Sequence, residues 1–500
     1  MGMSKLGTII NGVMRQDGTA PAIEFRNEWF SWSDLTGVAD QLEAVFRQHG
    51  IGSGTRIAGI LRNNPMVAAA IVDVIITERC IVTLNPMLPD EKLANDIRSL
   101  KAPVILALAE DWARPEVQAA ALQSNALCIE LPARMGVAVN VLQPLGDGDF
   151  KVDAQGVGIE MLTSGTTGTP KRIPLKSANF ARMIMDAALF ESRTTEGIPP
   201  LRKSVTILNT PFSHIGGLFG LFTCLSAGRK ACMLERFQVE PFVEAIARHR
   251  PKTVSAPPSG LRMILDADVP REKLASLVVF RTGTAPLDPD LADAFYERYG
   301  IPVLQNYGAT EFAGGVAGWT LQDFKDFGLS RRGSVGRMNP GVEGRVVDAE
   351  TGEPLPFGES GLLELRGRHL GDGSNWMRTN DIAQMDAESF LWILGRADNA
   401  IIRGGFKIIP DDVVRAMESH PAVREACVIA QDDPRLGQVP VAAYLVKTGH
   451  LLAAEDLRAH LRERLAPYQV PVRLMQLDEM PRTPSMKVSQ PELRKLFEAA

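Results

Sequence analysis

The chain has no apolar run long enough to span a bilayer. Its longest uncharged apolar stretch, Ile215 to Gly228, is loosened by Gly216, Gly217 and Gly220, and it falls short of the roughly 18 to 20 residues a membrane helix needs. A buried helix is expected there instead. The opening MGMSKLGTII lacks the continuous apolar core of a secretory signal, so the cytoplasm is the expected location. Cysteine is scarce: Cys80, Cys128, Cys224, Cys232 and Cys427 are scattered, with no CxxC pair and no His/Cys ligand spacing. That excludes a disulfide framework or a zinc-finger pattern and leaves small reduced core residues. Charge of one sign is also missing. The net charge of −5 comes from 59 acidic and 54 basic residues mixed along the chain, without the basic, aromatic-interleaved patches that nucleic acid requires. No internal repeat or low-complexity tract occurs.

What is present is a chain of 500 residues, 45% hydrophobic and 23% charged, enough for two or more packed units with a large buried core. Short β-rich runs alternate with helical patterns: RIAGIL (56–61), APVILAL (102–108), SVTILNT (204–210), KTVSAP (252–257), LVVFRT (277–282) and PVLQNY (302–307). This predicts α/β layers with largely parallel sheets. Several runs end in Gly, Thr, Ser or Pro clusters, where open α/β sheets carry their ligand loops. Residues 335–364 turn glycine-rich and hairpin-like, predicting a small β unit. After Gly395 a strand-loop, a helix, two strands and another helix predict a compact α+β unit. The predicted fold class is therefore α/β: a large N-terminal domain of layered sheets plus a small β unit (1–395), and a small C-terminal α+β domain (396–500).

The segment Thr163-Ser164-Gly165-Thr166-Thr167-Gly168-Thr169-Pro170-Lys171 combines hydroxyls, glycines and a closing lysine. Bare backbone N–H groups and hydroxyls in such a turn suit a polyphosphate. The GxxxxGK[ST] spacing of a Walker loop is absent, and composition alone also permits a plain surface turn. Glu311 is a hard oxygen donor suited to Mg²⁺, with the Thr310 hydroxyl beside it. Tyr307 offers a flat ring, and Gly283 allows close backbone approach to a base.

TSGTTGTPK resembles the signature loop of the adenylate-forming superfamily, which includes acyl-CoA ligases, aryl-acid ligases, luciferases and peptide-synthetase adenylation domains. Further segments resemble that family's motifs in order: NPMLPDEKL (85–93), NTPFSHIGG (209–217), RTGTAPL (281–287), QNYGATE (305–311), RTND (378–381), GRADNAIIRGGFKIIPDDV (395–413) and PRTPSMK (481–487). The resemblance implies ATP and Mg²⁺ as cofactors and coenzyme A as co-substrate. It assigns Thr163 to Gly168 and Lys171 to the phosphates, and Gly283, Thr284, Ala285, Asn306, Tyr307 and Gly308 to the adenine side. Asp381 and Arg396 fall to the ribose, and Glu311 to the metal. Lys487, His214, Thr310 and Glu311 become the catalytic residues, with Lys487 stabilising charge at the α-phosphate. The family's small domain rotates between half-reactions, which makes Asp398 the hinge and Gly404, Gly405 and Phe406 the coenzyme-side loop. Phe212, Gly216, Gly217, Gly314 and Gly315 are the expected acyl pocket.

The chain departs from the family pattern at Arg172, Asn380 and Met486, each standing where glycine is usual. The 367–379 segment is short and lacks the usual tyrosine, and Gln469 replaces a basic residue that faces the coenzyme in many relatives. Arg403, Lys407 or Arg473 are the candidate substitutes. No Asp accompanies Phe212-Ser213-His214, which disfavours an α-amino acid substrate. Thirteen residues follow Lys487, so the acceptor is expected to come from outside the chain. The expected activity is ATP-dependent conversion of an apolar or aromatic monocarboxylic acid to its acyl-adenylate, then transfer to coenzyme A. The alternative is direct transfer to an amine; a catalytically silent relative ranks below both. A monomer or homodimer without nucleic-acid or membrane partners is expected.

Overall fold

A computed structural model of the chain describes residues 4–499 except 135, 164–170, 191–196, 313, 372, 404–405 and 484–485, and the backbone alone at 163, 171, 189, 190 and 407. The chain packs into two compact units. One takes in the described chain up to Leu329 together with Arg368–Gly373, and the other takes in Ser330–Gly367 and Ser374 onward.

The first unit carries three sheets. In the seven-stranded one the order is Asn140–Gln143, Leu127–Leu131, Val104–Leu108, Arg56–Ile60, Cys80–Leu84, Val157–Thr163, Lys171–Lys176. The five inner strands are parallel and both edges antiparallel. Strands RIAGI, CIVTL and VILAL are buried at every position, as expected of parallel strands covered on both faces. The second sheet runs Val205–Leu208, Lys230–Met233, Pro21–Phe25, Glu28–Ser31, with only the last pairing antiparallel. The third carries Thr253–Ser255, Val279–Thr282 and Val303–Ala309 in parallel, then Gly314–Gly318 antiparallel. All six strands read from the sequence are present. The Ile215–Ser226 stretch is a helix, mostly buried, and among the described residues no helix is long and apolar enough to cross a membrane.

The second unit begins with an antiparallel sheet of Val342–Val347, Ser360–Gly367, Met377–Met385 and Leu391–Arg396, the small β unit anticipated at 335–364. A second sheet is built on the long pair Val423–Asp433 and Gly437–Val446, with helices Pro410–Glu418, Ala454–Arg462 and Gln490–Ala499. The boundary expected at residue 396 falls inside this unit. Packing joins the small β sheet to helix Pro410–Glu418: Arg415 Nη1 donates to Leu394 O at 3.3 Å. A Cβ on Gly395 would stand 2.8 Å from Asp411 Oδ2, and burial raises the pKa of that Asp411 carboxyl.

Four of the five cysteines are buried and none is bonded to another. Burial pushes Cys80, Cys128 and Cys427 up to about 12, so these thiols stay protonated and behave as small apolar groups.

Helix Pro65–Ile76 shows how far burial is taken. Asn64 caps it through Met66 N, Pro65 opens it, and all its residues are buried, the pattern of a helix apolar on every side. Asp73 is the exception in chemistry, and its Oδ2 has no hydrogen-bond partner. Burial and the neighbouring Glu43 push its pKa up to about 8, with Arg79 pulling the other way. The folded state therefore holds a proton that the unfolded chain releases at about pH 4, so stability falls as pH rises through the window between the two values. Relative to Asp73→Asn, the wild-type melting temperature is expected to decline as pH goes from about 4 to about 8, by up to about 1.4 kcal/mol of stability per pH unit. A difference that stays constant across that window would rule out the buried neutral carboxyl.

Candidate active site

In the first unit the motif residues gather at the carboxyl ends of parallel strands. Strand Val205–Leu208 leads into Asn209–His214, a loop fixed by one buried amide. Asn63 Nδ2 donates to Thr210 O (3.1 Å) and Leu234 O (3.0 Å), and Asn63 Oδ1 accepts from Phe212 N (3.0 Å). The sequence reading missed Asn63. Its only signal was a turn-forming Asn-Asn-Pro after a strand, which says nothing about a partner some 150 residues on. Phe212 is packed in the core at 1% exposed.

His214 is the N-cap of helix Ile215–Ser226, and its Nδ1 accepts from Gly216 N at 3.2 Å. That acceptor role places the proton of the neutral ring on Nε2. The turn tightens further as Gly217 N donates to His214 O at 2.9 Å. A Cβ on Gly217 would stand 2.2 Å from Pro211 O, so only glycine fits.

Strands Val279–Thr282 and Val303–Ala309 lie side by side, with Thr282 opposite Gln305. This juxtaposes the two adenine-side segments: a Cβ on Gly283 would come within 2.7 Å of Asn306 Oδ1. Thr284 adopts φ +69, a left-handed conformation costly for a β-branched residue and typical of strained ligand-binding turns. Tyr307 packs its ring 5.9 Å from Phe312. Gly308 faces Gly314 and Gly315 across the hairpin, where its Cβ would meet Gly314 O at 2.2 Å. Met183 lies against Gly314. Close backbone packing thus accounts for Gly308 and Gly314, whatever else they face.

Thr310 and Glu311 occupy a short 3-10 turn that packs on strand Lys171–Lys176 as it leaves the phosphate loop. Glu311 is exposed. Among the described residues the only group of three candidate metal ligands is elsewhere. Ser164, Gly165, Thr166, Thr167 and Gly168 lie outside the described residues, as do the side chains of Thr163 and Lys171. Arg172, in place of glycine, is used structurally, since it pairs with Asp96 at 2.7 Å and donates to Thr83 O.

The second unit brings together Asp381, Arg396 and Asp398. Asp381 and Arg396 are direct partners across neighbouring strands, 3.7 Å apart, and Asp381 is 6% exposed. A carboxylate and a guanidinium side by side on a rigid ladder offer an acceptor and donors for a vicinal diol. Arg396 forks onto Asp398 through two bonds of 2.9 Å, and Asn380 Nδ2 donates to Asp398 at 3.1 Å. Asn380 therefore ties Asp398 to strand Met377–Met385, which a glycine there would not do.

Gly404 and Gly405 lie outside the described residues, and so does the Lys407 side chain. Phe406 is 57% exposed and stacks on Tyr468 at 4.6 Å. Arg403 donates to Tyr468 O (2.7 Å) and Arg473 to Phe497 O (2.8 Å), so both are engaged within the fold.

Lys487 is exposed on a narrow loop closed by Thr483 N donating to Lys487 O (2.7 Å) and Met486 N to Thr483 O (2.8 Å). Arg482, paired with Glu425 at 2.7 Å, anchors its base. Met486 has φ +66, the left-handed region that explains why glycine is usual there. Met486→Gly is expected to raise unfolding stability by about 0.5–1 kcal/mol in chemical denaturation. A loss of stability would show that Met486 packing outweighs the backbone strain.

The AMP-binding enzyme family model matches residues 12–373, and that of the AMP-binding enzyme C-terminal domain matches 415–487. The chain is 28% identical over 491 residues to 2-succinylbenzoate–CoA ligase of Bacillus velezensis, covering 95% of each. Its fold matches ATP-bound MatB from Rhodopseudomonas palustris with a TM-score of 0.81 at 22% identity, over 98% of this chain and 99% of that one. It also matches the amide bond synthetase McbA from Marinactinospora thermotolerans with a TM-score of 0.79 at 26% identity, over 98% and 100%. With a family model spanning most of its length and the motif residues set on the strand ends just described, the chain belongs to the AMP-binding enzymes, the adenylate-forming superfamily of acyl-CoA synthetase-like ligases.

Proposed function

We propose that this enzyme activates an apolar or aromatic monocarboxylic acid with ATP and hands the acyl group to coenzyme A. The observation that carries the reading is the Asp381–Arg396 pair, 3.7 Å apart on adjacent strands, in a chain that also keeps Lys171, Glu311 and Lys487. A silent relative would have no reason to retain that set together.

In the first half-reaction a carboxylate oxygen of the acid bonds to the α-phosphorus while the bond to the bridging oxygen breaks and pyrophosphate leaves. Negative charge grows on the phosphoryl oxygens, where the Lys487 ammonium stabilises it. Asp381 accepts from the ribose hydroxyls and Arg396 donates to them, fixing the nucleotide so that attack is nearly unimolecular. Glu311 would hold Mg²⁺, which would supply positive charge against the phosphates. His214, fixed by Gly216 N, keeps its Nε2–H as a donor on the acyl side. In the second half-reaction the thiol sulfur attacks the acyl carbon, the thiol proton is released and AMP leaves. The proposal assigns the hinge to Asp398 and the movement between the steps to residues 1–395 against 396–500, with Gly404 and Gly405, outside the described residues, assigned to the coenzyme side. The reading places the enzyme in the cytoplasm as a monomer or homodimer.

A second reading, transfer to an amine, draws on Arg403 and Arg473 being engaged internally and on the similarity to an amide bond synthetase. A mass-spectrometric screen of pooled acids with ATP and Mg²⁺, run with coenzyme A, with amines and with neither, separates the two. The expected product is an acyl-CoA with AMP in the coenzyme arm only. An amide without coenzyme dependence would move the enzyme to the second reading, and reaction confined to acetate or amino acids would defeat the substrate assignment.

Lys487→Ala is expected to cut acyl-adenylate formation by about 10²–10³-fold while leaving the conversion of supplied acyl-adenylate to product near wild type. Equal loss in both half-reactions would contradict the role given to Lys487.

A further inference from the structure

A cavity of about 570 Å³ opens on the first unit beside strands Pro21–Phe25 and Lys230–Met233, lined by Lys203, Lys230, Arg248, His249, Trp29 and Glu24 among others. Its floor is rigid. The Glu24 carboxylate, 4% exposed, takes Arg248 Nη2 at 2.5 Å on one oxygen and His249 Nε2 at 2.7 Å on the other. Arg248 Nη1 also donates to Asn27 Oδ1 at 2.8 Å and its Nε to His249 Nε2 at 3.3 Å, so all three guanidinium nitrogens have a partner before any ligand arrives. Lys230 sits 5.5 Å from the centre of the Trp29 ring.

The charge balance is one-sided. Three permanent cations line the cavity against one carboxylate, and that carboxylate is already paired with Arg248 and His249. Lys203 and Lys230 have no carboxylate partner among the described residues.

Glu24, Cys232 and His249 also place ligand atoms within 4.8 Å of one another, a spacing compatible with a metal ion. The surrounding chemistry argues otherwise. Both Glu24 oxygens are taken, and His249 Nε2 is turned to Glu24. Burial pushes the Cys232 thiol up to about 11, and nearby lysines repel a cation.

The cavity is also separate from the adenylation loops. Lys230 is level with Val205, at the start of strand Val205–Leu208, whereas Asn209–His214 leave its far end. At ~3.3 Å per residue, Lys203 and Thr210 lie on the order of 20 Å apart.

We infer that this cavity is a second anion site, which binds the phosphate group of a small phosphorylated molecule on Lys203, Lys230 and Arg248. Arg248, fixed by Glu24, Asn27 and His249, supplies a positioned positive charge and its remaining Nη hydrogens, the two lysines supply charge at the mouth, and the Trp29 ring flanks the ligand's organic portion.

The test is isothermal titration of the full chain with inorganic phosphate and with phenyl phosphate at constant ionic strength, alongside Zn²⁺ as a cation control. Wild type is expected to bind phenyl phosphate, and Lys203→Gln/Lys230→Gln is expected to weaken it by about tenfold or more. The kcat and the KM for ATP should be unchanged. If the double variant melts early, Lys203→Gln alone, at an exposed position, serves with a smaller loss. Tighter binding of phenyl phosphate than of inorganic phosphate supports an organic ester as ligand; equal affinity supports free phosphate at the same cations. Phosphate binding that the lysine variants leave untouched, no binding by wild type, or Zn²⁺ binding abolished by Cys232→Ser would each overturn the assignment.

Discussion

Asn63 stands where two sheets end and ties them together. It follows strand Arg56–Ile60 of the large sheet, yet its amide satisfies Thr210 O and Leu234 O, beyond two strands of the neighbouring sheet, and the N–H of Phe212. Three otherwise unpaired backbone groups at a buried junction would each cost about 1–3 kcal/mol. One side chain removes that cost and sets the register of the loop that carries His214. The His214 turn then has little freedom: its ring accepts from Gly216, and Gly217 lies too close to Pro211 for any side chain. The acyl-side loop is thus positioned by backbone groups and a distant amide, not by its own side chains.

Much of this was legible in the sequence, and the reason is physical. Parallel strands buried on both faces read as continuous apolar runs, so RIAGI, VILAL and VFRT announced themselves, and their glycine- and hydroxyl-rich exits marked where ligands would be handled. The cross-strand placement of Asp381 and Arg396 was not legible, since register between strands separated by a turn depends on bulges such as the one between Ile382 and Ala383. Asn63 was hidden for a related reason. A buried amide is defined by partners far along the chain, and no local period points to it. The packing boundary was hidden too. The small β sheet shares a unit with the C-terminal residues through contacts such as Arg415 to Leu394 O, whereas composition shifts only after Gly395.

The three residues that stand where the family has glycine divide by what they do. Arg172 makes an ion pair and a backbone bond that hold strand Lys171–Lys176 to Asp96 and Thr83, steadying the exit of the phosphate loop. Asn380 adds a bond to Asp398 that glycine would lack, so the residue assigned to the hinge is gripped from both sides. Met486 sits in the left-handed region, where a local cost of about 1 kcal/mol is tolerated because Arg482 and Thr483 bond the backbone of Met486 and Lys487.

The same logic separates the two half-reactions. Adenylation demands fixed geometry around one phosphorus atom, and the residues proposed to meet it are anchored: Asp381 on a ladder, Glu311 on a turn against strand Lys171–Lys176, Lys487 on a closed loop. Recognition of the acceptor's remote end demands only charge at the right distance, which many surface residues can supply, so sequence there is free to drift. Here the two basic residues described near that side, Arg403 and Arg473, bond backbone carbonyls of Tyr468 and Phe497. The exposed Phe406 ring is instead preorganised by stacking on Tyr468. On the proposed assignment of Phe406 to the acceptor side, selectivity there would rest on the Phe406–Tyr468 stack more than on a phosphate clamp by Arg403 or Arg473.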